Sequence, residues 1–363
     1  MPELPEVQAH AERLTEQFRG RLLSRFVPFN FTALKTAVPP PDTAYGLPLI
    51  EVGRRGKYLL LRFEPVTFVV HLMQGGRLLV DDKLALKPRN GQARFVFDEG
   101  PALLLTEAGK ERRAGVWCVS SDRLDGPPLD RLGPEALELS DEQMAQRFAA
   151  HNMRLHGFLR DQHMIAGLGR MLANEVCHRA KLSPFAMTGK LGAEGAHQVR
   201  AAIHACVEDG LAYERTRSDM SSSADRPGAV HGRAGEACPV CGDTVRSVSY
   251  SGYTVAYCPT CQTAGKVLAG KKTTEVKLDE QPAIANNELR QTFVRVPGLL
   301  AQKPELLAHA PAEARGLGGP RHGRTEALLE GRRAIRAGHG DGEQVVTDAD
   351  GLLRGPIDVE HGG

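Results

Sequence analysis

The sequence predicts an α+β multidomain protein: an amino-terminal β-sandwich with flanking helices, then a helical domain, then a small zinc-ribbon β-hairpin. Three observations predict it. Short segments rich in β-formers crowd the chain up to Val119, helical periodicity takes over at Ser140, and two C-x-x-C pairs stand at Cys238 and Cys258.

A first helix is expected over residues 6–18, where Val7, Leu14 and Phe18 recur at helical spacing. Strands are expected at 47–52, 57–63, 67–72, 77–80, 94–97, 102–106 and 115–119, each bounded by Gly, Pro or Asp. Seven short strands of this kind suit two packed sheets. From Ser140, which forms a capping box with Gln143, helices are expected over 140–150, 155–164, 170–180 and 194–210. Between the second and third lies Ile165-Ala166-Gly167-Leu168-Gly169, whose glycines permit close approach of another backbone or of phosphate. Residues 218–228 read as a polar loop. Beyond residue 264 the chain is glycine-rich with Phe293 as its single aromatic residue, so it is expected to be a flexible tail with one short helix near 325–336.

Among 363 residues, 41% are hydrophobic and 25% charged, the balance of an ordinary soluble protein with room for two or more domains. The start, MPELPEVQAH, has neither a basic nor an apolar signal region, and no run approaches a membrane span, so a cytoplasmic, nucleoid-associated protein is expected. A net charge of +2 does not by itself announce nucleic acid. Local clustering does more, for Arg154, Arg160, Arg170, Arg179 and Lys181 lie close together in sequence.

Cys238-Pro-Val-Cys241 is followed after sixteen residues by Cys258-Pro-Thr-Cys261. Four thiolates close a tetrahedral shell and leave no position for water, so one structural zinc ion is expected to hold a hairpin too short for its own core. Cys118, Cys177 and Cys206 are read as ordinary buried cysteines.

At the other end, Met1-Pro2-Glu3-Leu4-Pro5-Glu6 places a proline where loss of the initiator methionine would leave a free secondary amine. An α-amino group titrates near neutrality, so a useful fraction is an uncharged nucleophile without the desolvation a lysine needs. Its attack on the anomeric carbon of a deoxynucleoside expels the base and leaves an iminium ion, from which elimination cuts the strand. Glu3 and Glu6 supply carboxylates beside that amine, for proton transfer or for capping the next helix.

PELPEV, GRRGKYLLL at 53–61, VVHL at 69–72, LRDQHMIAGLGRMLANE at 159–175, and VHGRAGEACPVCG with CPTCQ around the ribbon occur in one order. Together they resemble the formamidopyrimidine-DNA glycosylase and endonuclease VIII family. The resemblance implies a catalytic β-sandwich domain over 2–125, a helix-two-turns-helix DNA-binding domain over 135–215 and a zinc ribbon over 229–263; residues 264–363 lie outside it. It implies a monomer acting on duplex DNA with damaged or abasic sites, a base-excision glycosylase with abasic-site lyase activity. Pro2 matches the nucleophile, Glu3 the general acid and proton shuttle, and Lys57 the lysine that contacts phosphate or lesion; Glu6 and Glu175 match supporting carboxylates.

Base-flipping enzymes fill the void they leave with wedge side chains. Here the sequence departs from the family. H-L-G-M-S-G is His71-Leu72-Met73-Gln74-Gly75-Gly76, so Met73 or Gln74 takes the wedge position, and D-P-R-R-F-G is replaced by a stretch in which Arg112 or Arg113 reaches the orphaned base. The usual phosphate-binding asparagine is Arg170, the lysine of the helical motif is His156, and the ribbon arginine is Tyr253, which offers one hydroxyl. An alternative follows from these departures: a damaged-DNA-binding protein of the same fold without catalysis.

Overall fold

The computed structural model describes residues 1–220, 225–250 and 252–268. The short helix expected near 325–336 and most of the expected tail lie outside the described residues.

Helix α1 (Leu4–Phe18) begins earlier than its periodicity suggests, because Glu3 is its N-cap: the Glu3 carboxylate and the Glu6 carboxylate form a reciprocal capping box. The helix serves two cores. Val7, Ala11, Leu14 and Phe18 pack into the sandwich, while Leu4 packs among the helices of the following domain. The amino terminus is thereby fixed at the junction between them.

The sandwich is two four-stranded antiparallel sheets, the expected architecture with eight strands where seven are expected. One runs β1 (Leu23–Pro28), β6 (Gly91–Phe97), β7 (Ala102–Glu107), β5 (Gly76–Asp81). The other runs β2 (Glu51–Arg55), β3 (Tyr58–Arg62), β4 (Val66–His71), β8 (Gly115–Ser120). Phe26, Phe68 and Phe95 meet between the sheets with ring centroids 5.0 to 5.7 Å apart, the burial of each side chain contributing about 1.5–3 kcal/mol. Strand β1 is absent from the sequence expectation, since Ser24 and Arg25 interrupt the run of β-formers in Leu-Ser-Arg-Phe-Val-Pro. Residues 47–50 are not strand, and β2 starts only at Glu51.

Helices α2 (Asp141–Ala150), α3 (Leu155–Arg160), α4 (Arg170–Arg179) and α5 (Gly192–Arg215) form the second domain around Phe148, Phe158, Leu172 and Ile203. The capping box at Ser140 and Gln143 is present. Helix α3 stops four residues sooner than expected, because Asp161 adopts an extended backbone. Beyond it the Gln162 side chain ties the turns together, donating to the Arg160 and Leu168 carbonyls and accepting from the Gly167 N–H. The ribbon follows as β9 (Arg246–Tyr250), β10 (Tyr253–Tyr257) and the short α6 (Pro259–Thr263). Among the described residues no helix is long and apolar enough to cross a membrane.

Candidate active site

A cleft of about 640 Å³ opens where the amino terminus, the β2–β3 turn, α3, the start of α4 and the ribbon hairpin meet. Glu3, Lys57, Gln74, Arg160, Arg170 and Tyr253 all line it. Five of these six are expected from the sequence, each from a different segment; Arg160 enters there only as one member of a basic cluster.

Pro2 is buried and is not itself among the residues lining the cleft, although its neighbours Met1 and Glu3 are. The Met1 amino group is held below its ordinary pKa, first by burial and then by nearby Arg77, Lys57 and Arg170, against the opposing pull of Glu3. Glu3 is 3% exposed. Its two oxygens accept the Met171 and Leu172 N–H groups at 2.9 Å each, two of the donors that the first turn of α4 leaves without an intrahelical partner. Gly169 makes this possible, because a Cβ there would overlap the Glu3 carboxylate. Gly167, at φ +100, accepts the Leu4 N–H on its carbonyl and lets the Leu4 side chain pack over it. The close approach expected of the two glycines is thus made by the amino-terminal segment.

Glu6 is fully buried; its Oε2 accepts the Glu3 N–H at 2.8 Å, and its Oε1 lies 2.9 Å from Arg226 Nη1. Burial pushes the Glu6 carboxyl up to about 7, with Arg226 opposing. Arg226, whose other Nη2 stands 4.0 Å from Glu3 Oε2, has no counterpart in the sequence reading. It lies 220 positions from Glu6 in the chain, and no local pattern marks such a pair.

Lys57 sits in the β2–β3 turn rather than in the strand expected from 57, and it is 4% exposed, not solvated. Burial brings its ammonium down to about 8; Glu3 and Glu6 resist that fall and Arg160 adds to it. The turn is clamped from the second domain by Glu135, which accepts from Arg54 Nη1 at 2.7 Å, Arg55 Nη1 at 2.8 Å and the Gly56 N–H at 2.6 Å. Glu135 also went unseen in the sequence. His71, at the end of β4, is brought down to about 4 by burial and by Lys57, so it is neutral, and its ring packs 4.4 Å from that of Tyr58.

The two candidate wedges separate. Met73 packs against the sandwich core, its sulfur 2.7 Å from His71 Nδ1, whereas Gln74 is exposed and lines the cleft. Residues 108–114 form a loop beside Gln74, anchored by the Ala114 N–H on Glu107 Oε2 at 2.6 Å. Arg112 and Arg113 are exposed on it, Arg113 pairing with Glu111. Arg170 is exposed at the first position of α4, facing the cleft. Glu175 lies outside the cleft and pins the segment before the ribbon through the N–H groups of Ala229, Val230 and His231.

In the ribbon, Cys238 Sγ lies 3.9 Å from Cys261 Sγ and Cys241 Sγ lies 3.3 Å from Cys258 Sγ. Four sulfurs about 2.3 Å from one zinc would stand roughly 3.8 Å apart, close to these two separations. The donor atoms of His178, Cys238, Cys258 and Cys261 lie within 4.8 Å of one another, a His/Cys cluster that fits one structural zinc ion. His178 Nε2 approaches Cys238 Sγ at 3.3 Å from α4, and Asn174 on the same helix accepts the Ala256 N–H, so the ribbon is seated on the helical domain. Cys118, Cys177 and Cys206 are buried, as expected.

The chain matches three family models in order: the formamidopyrimidine-DNA glycosylase N-terminal domain over residues 1–117, the formamidopyrimidine-DNA glycosylase H2TH domain over 132–222, and the zinc finger found in FPG and IleRS over 235–264. A formamidopyrimidine-DNA glycosylase of Symbiobacterium thermophilum is 32% identical over 281 residues, 72% of this chain and 89% of that one. An uncharacterized formamidopyrimidine-DNA glycosylase-like protein of Mycobacterium tuberculosis is 40% identical over 150 residues, 40% of this chain and 95% of its own. The Lactococcus lactis Fpg solved with abasic-site DNA shares the fold at TM-score 0.65 and 21% identity, over 72% of this chain and 99% of that one. The matched domains, their order and the cysteine cluster that fits one structural zinc place this chain in the formamidopyrimidine-DNA glycosylase family.

Proposed function

We propose that the chain is a base-excision repair glycosylase with abasic-site lyase activity, acting on duplex DNA through the secondary amine of Pro2 once Met1 is removed. The observation that carries this reading is the placement of Glu3: a buried carboxylate, next in sequence to Pro2, fixed by two amide donors and opening on a cationic cleft.

The proline nitrogen attacks C1′ of a flipped nucleotide and its lone pair forms the C–N bond as the glycosidic bond breaks; the base leaves with its electron pair and takes up the proton that the nitrogen sheds. Glu3, in its protonated form, donates to the sugar ring oxygen as the ring opens, giving the iminium ion, and then carries protons for the elimination that expels the 3′ phosphate. Lys57, cationic below about pH 8, lies beside Glu3 and offsets phosphate charge. Glu6 and Arg226 hold the amino-terminal segment from behind. The zinc of the ribbon is structural, holding Tyr253 against the cleft, and takes no part in the reaction. Gln74 is the residue that enters the void left by the flipped base, with Arg112 and Arg113 beside it; Arg170 receives backbone phosphate.

The test is borohydride trapping of the Met1-processed protein on a duplex with a single abasic site. A covalent adduct that maps to the amino-terminal peptide, and is lost when an uncleaved extension buries the proline nitrogen in a peptide bond, supports the reading. Binding without any adduct makes the chain a non-catalytic binder of damaged DNA instead.

A further inference from the structure

Arg160 ends α3 inside the cleft, and its surroundings differ from those of the other cations nearby. Its Cζ lies 3.7 Å from the centroid of the Tyr253 ring, a close cation–π contact. The same ring stacks on His156, one turn earlier in α3, with centroids 5.5 Å apart and planes 18° from parallel. Burial and the neighbouring Arg160 bring the His156 imidazole down to about 4, so it stays neutral and adds no repulsion of its own. Tyr253, the first residue of β10, is therefore a flat platform against which α3 lays a guanidinium.

Stacking uses the face of a guanidinium and leaves its five in-plane N–H donors open. Among the described residues, no carboxylate pairs with Arg160 and no hydrogen bond engages its side-chain nitrogens, in contrast to Arg179, which pairs with Asp209, and Arg200, which pairs with Asp141. Lys57, Arg170, Glu3 and Asp161 line the same cleft; Glu3 is already occupied by two amides, and Asp161 accepts the His163 N–H. A half-buried, pre-oriented arginine without an acidic partner, beside two further cations, presents a fork that matches two phosphate oxygens.

We propose that Arg160, held in place by the Tyr253 ring, is a direct ligand of a DNA backbone phosphate in the cleft, so that the ribbon contributes a platform for a cation carried by the helical domain. The proposal rests on the reading of the cleft as a DNA site and is independent of whether Pro2 reacts. It gives Tyr253 a purpose larger than its single hydroxyl. It also makes two domains share one phosphate contact, since neither Arg160 nor Tyr253 alone sets the geometry.

The experiment is the salt dependence of binding to a duplex with a reduced abasic site, measured by fluorescence anisotropy for the zinc-loaded full chain. Each phosphate contact contributes about 0.9 to the slope of log K against log salt. Arg160→Ala is expected to lower that slope by about one contact and weaken binding roughly tenfold at low salt, whereas Arg160→Lys keeps the slope and loses part of the affinity. Tyr253→Leu is expected to weaken binding several-fold, and Tyr253→Phe, which keeps the ring, is expected to recover most of that loss. Thermal melts and zinc content of each variant show that the fold is intact. An unchanged slope in Arg160→Ala, or wild-type binding in Tyr253→Leu, overturns the proposal. If wild type binds the duplex with an Arg160-dependent slope yet gives no borohydride adduct, catalysis is refuted and the phosphate contact stands.

Discussion

The Glu3 carboxylate occupies the space in which a Cβ at Gly169 would stand, and from there it caps the first turn of α4. Gly169 has an extended backbone that any residue adopts, so its lack of a side chain matters here for space and not for conformation. Gly169→Ala is therefore predicted to displace Glu3 without straining the chain. Turnover on abasic duplex should fall by about 100-fold or more, the usual worth of a positioned proton donor, while duplex affinity stays within a few-fold. Single-turnover kinetics beside anisotropy binding would check it; an unaltered rate would mean that Glu3 can serve from elsewhere.

Lys57 gives a pH prediction. Its pKa falls from 10.5 to about 8 on folding, mainly through burial, with Glu3 and Glu6 resisting and Arg160 adding repulsion. Between those values the unfolded chain holds a proton that the folded chain has released, so stability rises with pH across this window, and below about pH 8 the folded state carries the full cost. Lys57→Met should accordingly stabilise the protein at neutral pH by up to about 3 kcal/mol, an advantage that disappears by pH 10.5. Activity in wild type should decline above about pH 8 as the ammonium is lost. Denaturant melts of both proteins across pH decide the matter, and a variant that is less stable at pH 7 would contradict the burial argument.

Much of the fold is legible in the sequence because its signals are local. Runs of β-formers bounded by Gly, Pro or Asp expose β3, β4 and β7, Ser140 and Gln143 mark the start of α2, and the cysteine spacing marks the ribbon. Strand β1 is hidden because Ser24 and Arg25 interrupt its run of β-formers, and the end of α3 because Gln162 replaces helical hydrogen bonds with side-chain ones. The site divides in the same way. Glu3 and Lys57 stand in recognisable motifs, but Glu135, Arg226 and the stack of Arg160 on Tyr253 arise only when segments far apart in the chain meet. Met73 and Gln74 are adjacent and equally plausible on paper; the positive φ of Met73 turns its side chain to the core and leaves Gln74 in the cleft.

Glu135 joins the two domains through the turn that carries Lys57, and its side chain is 8% exposed. Removing Glu135 leaves Arg54, 10% exposed, without its carboxylate and with only the Gln8 and Gly56 oxygens to accept from it. Glu135→Ala is predicted to destabilise the protein by about 3 kcal/mol and to lower catalysis beyond that, since the turn loses the Gly56 N–H anchor. A melt shows the first effect, and turnover measured well below the melting temperature shows the second. Wild-type turnover in a destabilised variant would mean that Lys57 is positioned by β2 and β3 alone.

Metal removal tests the ribbon. Its own core consists of Val230, Val245 and Ala256 together with Cys238 and Cys258, too little apolar surface to order a two-stranded hairpin in water. One zinc per chain should be released to a strong chelator, and amide exchange in β9 and β10 should then rise to the unprotected rate while β4 and α1, buried in the sandwich, keep their protection. Cys258→Ala should behave as the stripped protein does. His178→Ala should lose zinc faster than wild type, because the ring that approaches Cys238 Sγ links the ion's ligand to α4. Since Tyr253 opens β10, chelation should also release the platform beneath Arg160 and reduce duplex affinity to about that of Tyr253→Leu; protection of β10 that survives chelation would refute the role given to the metal.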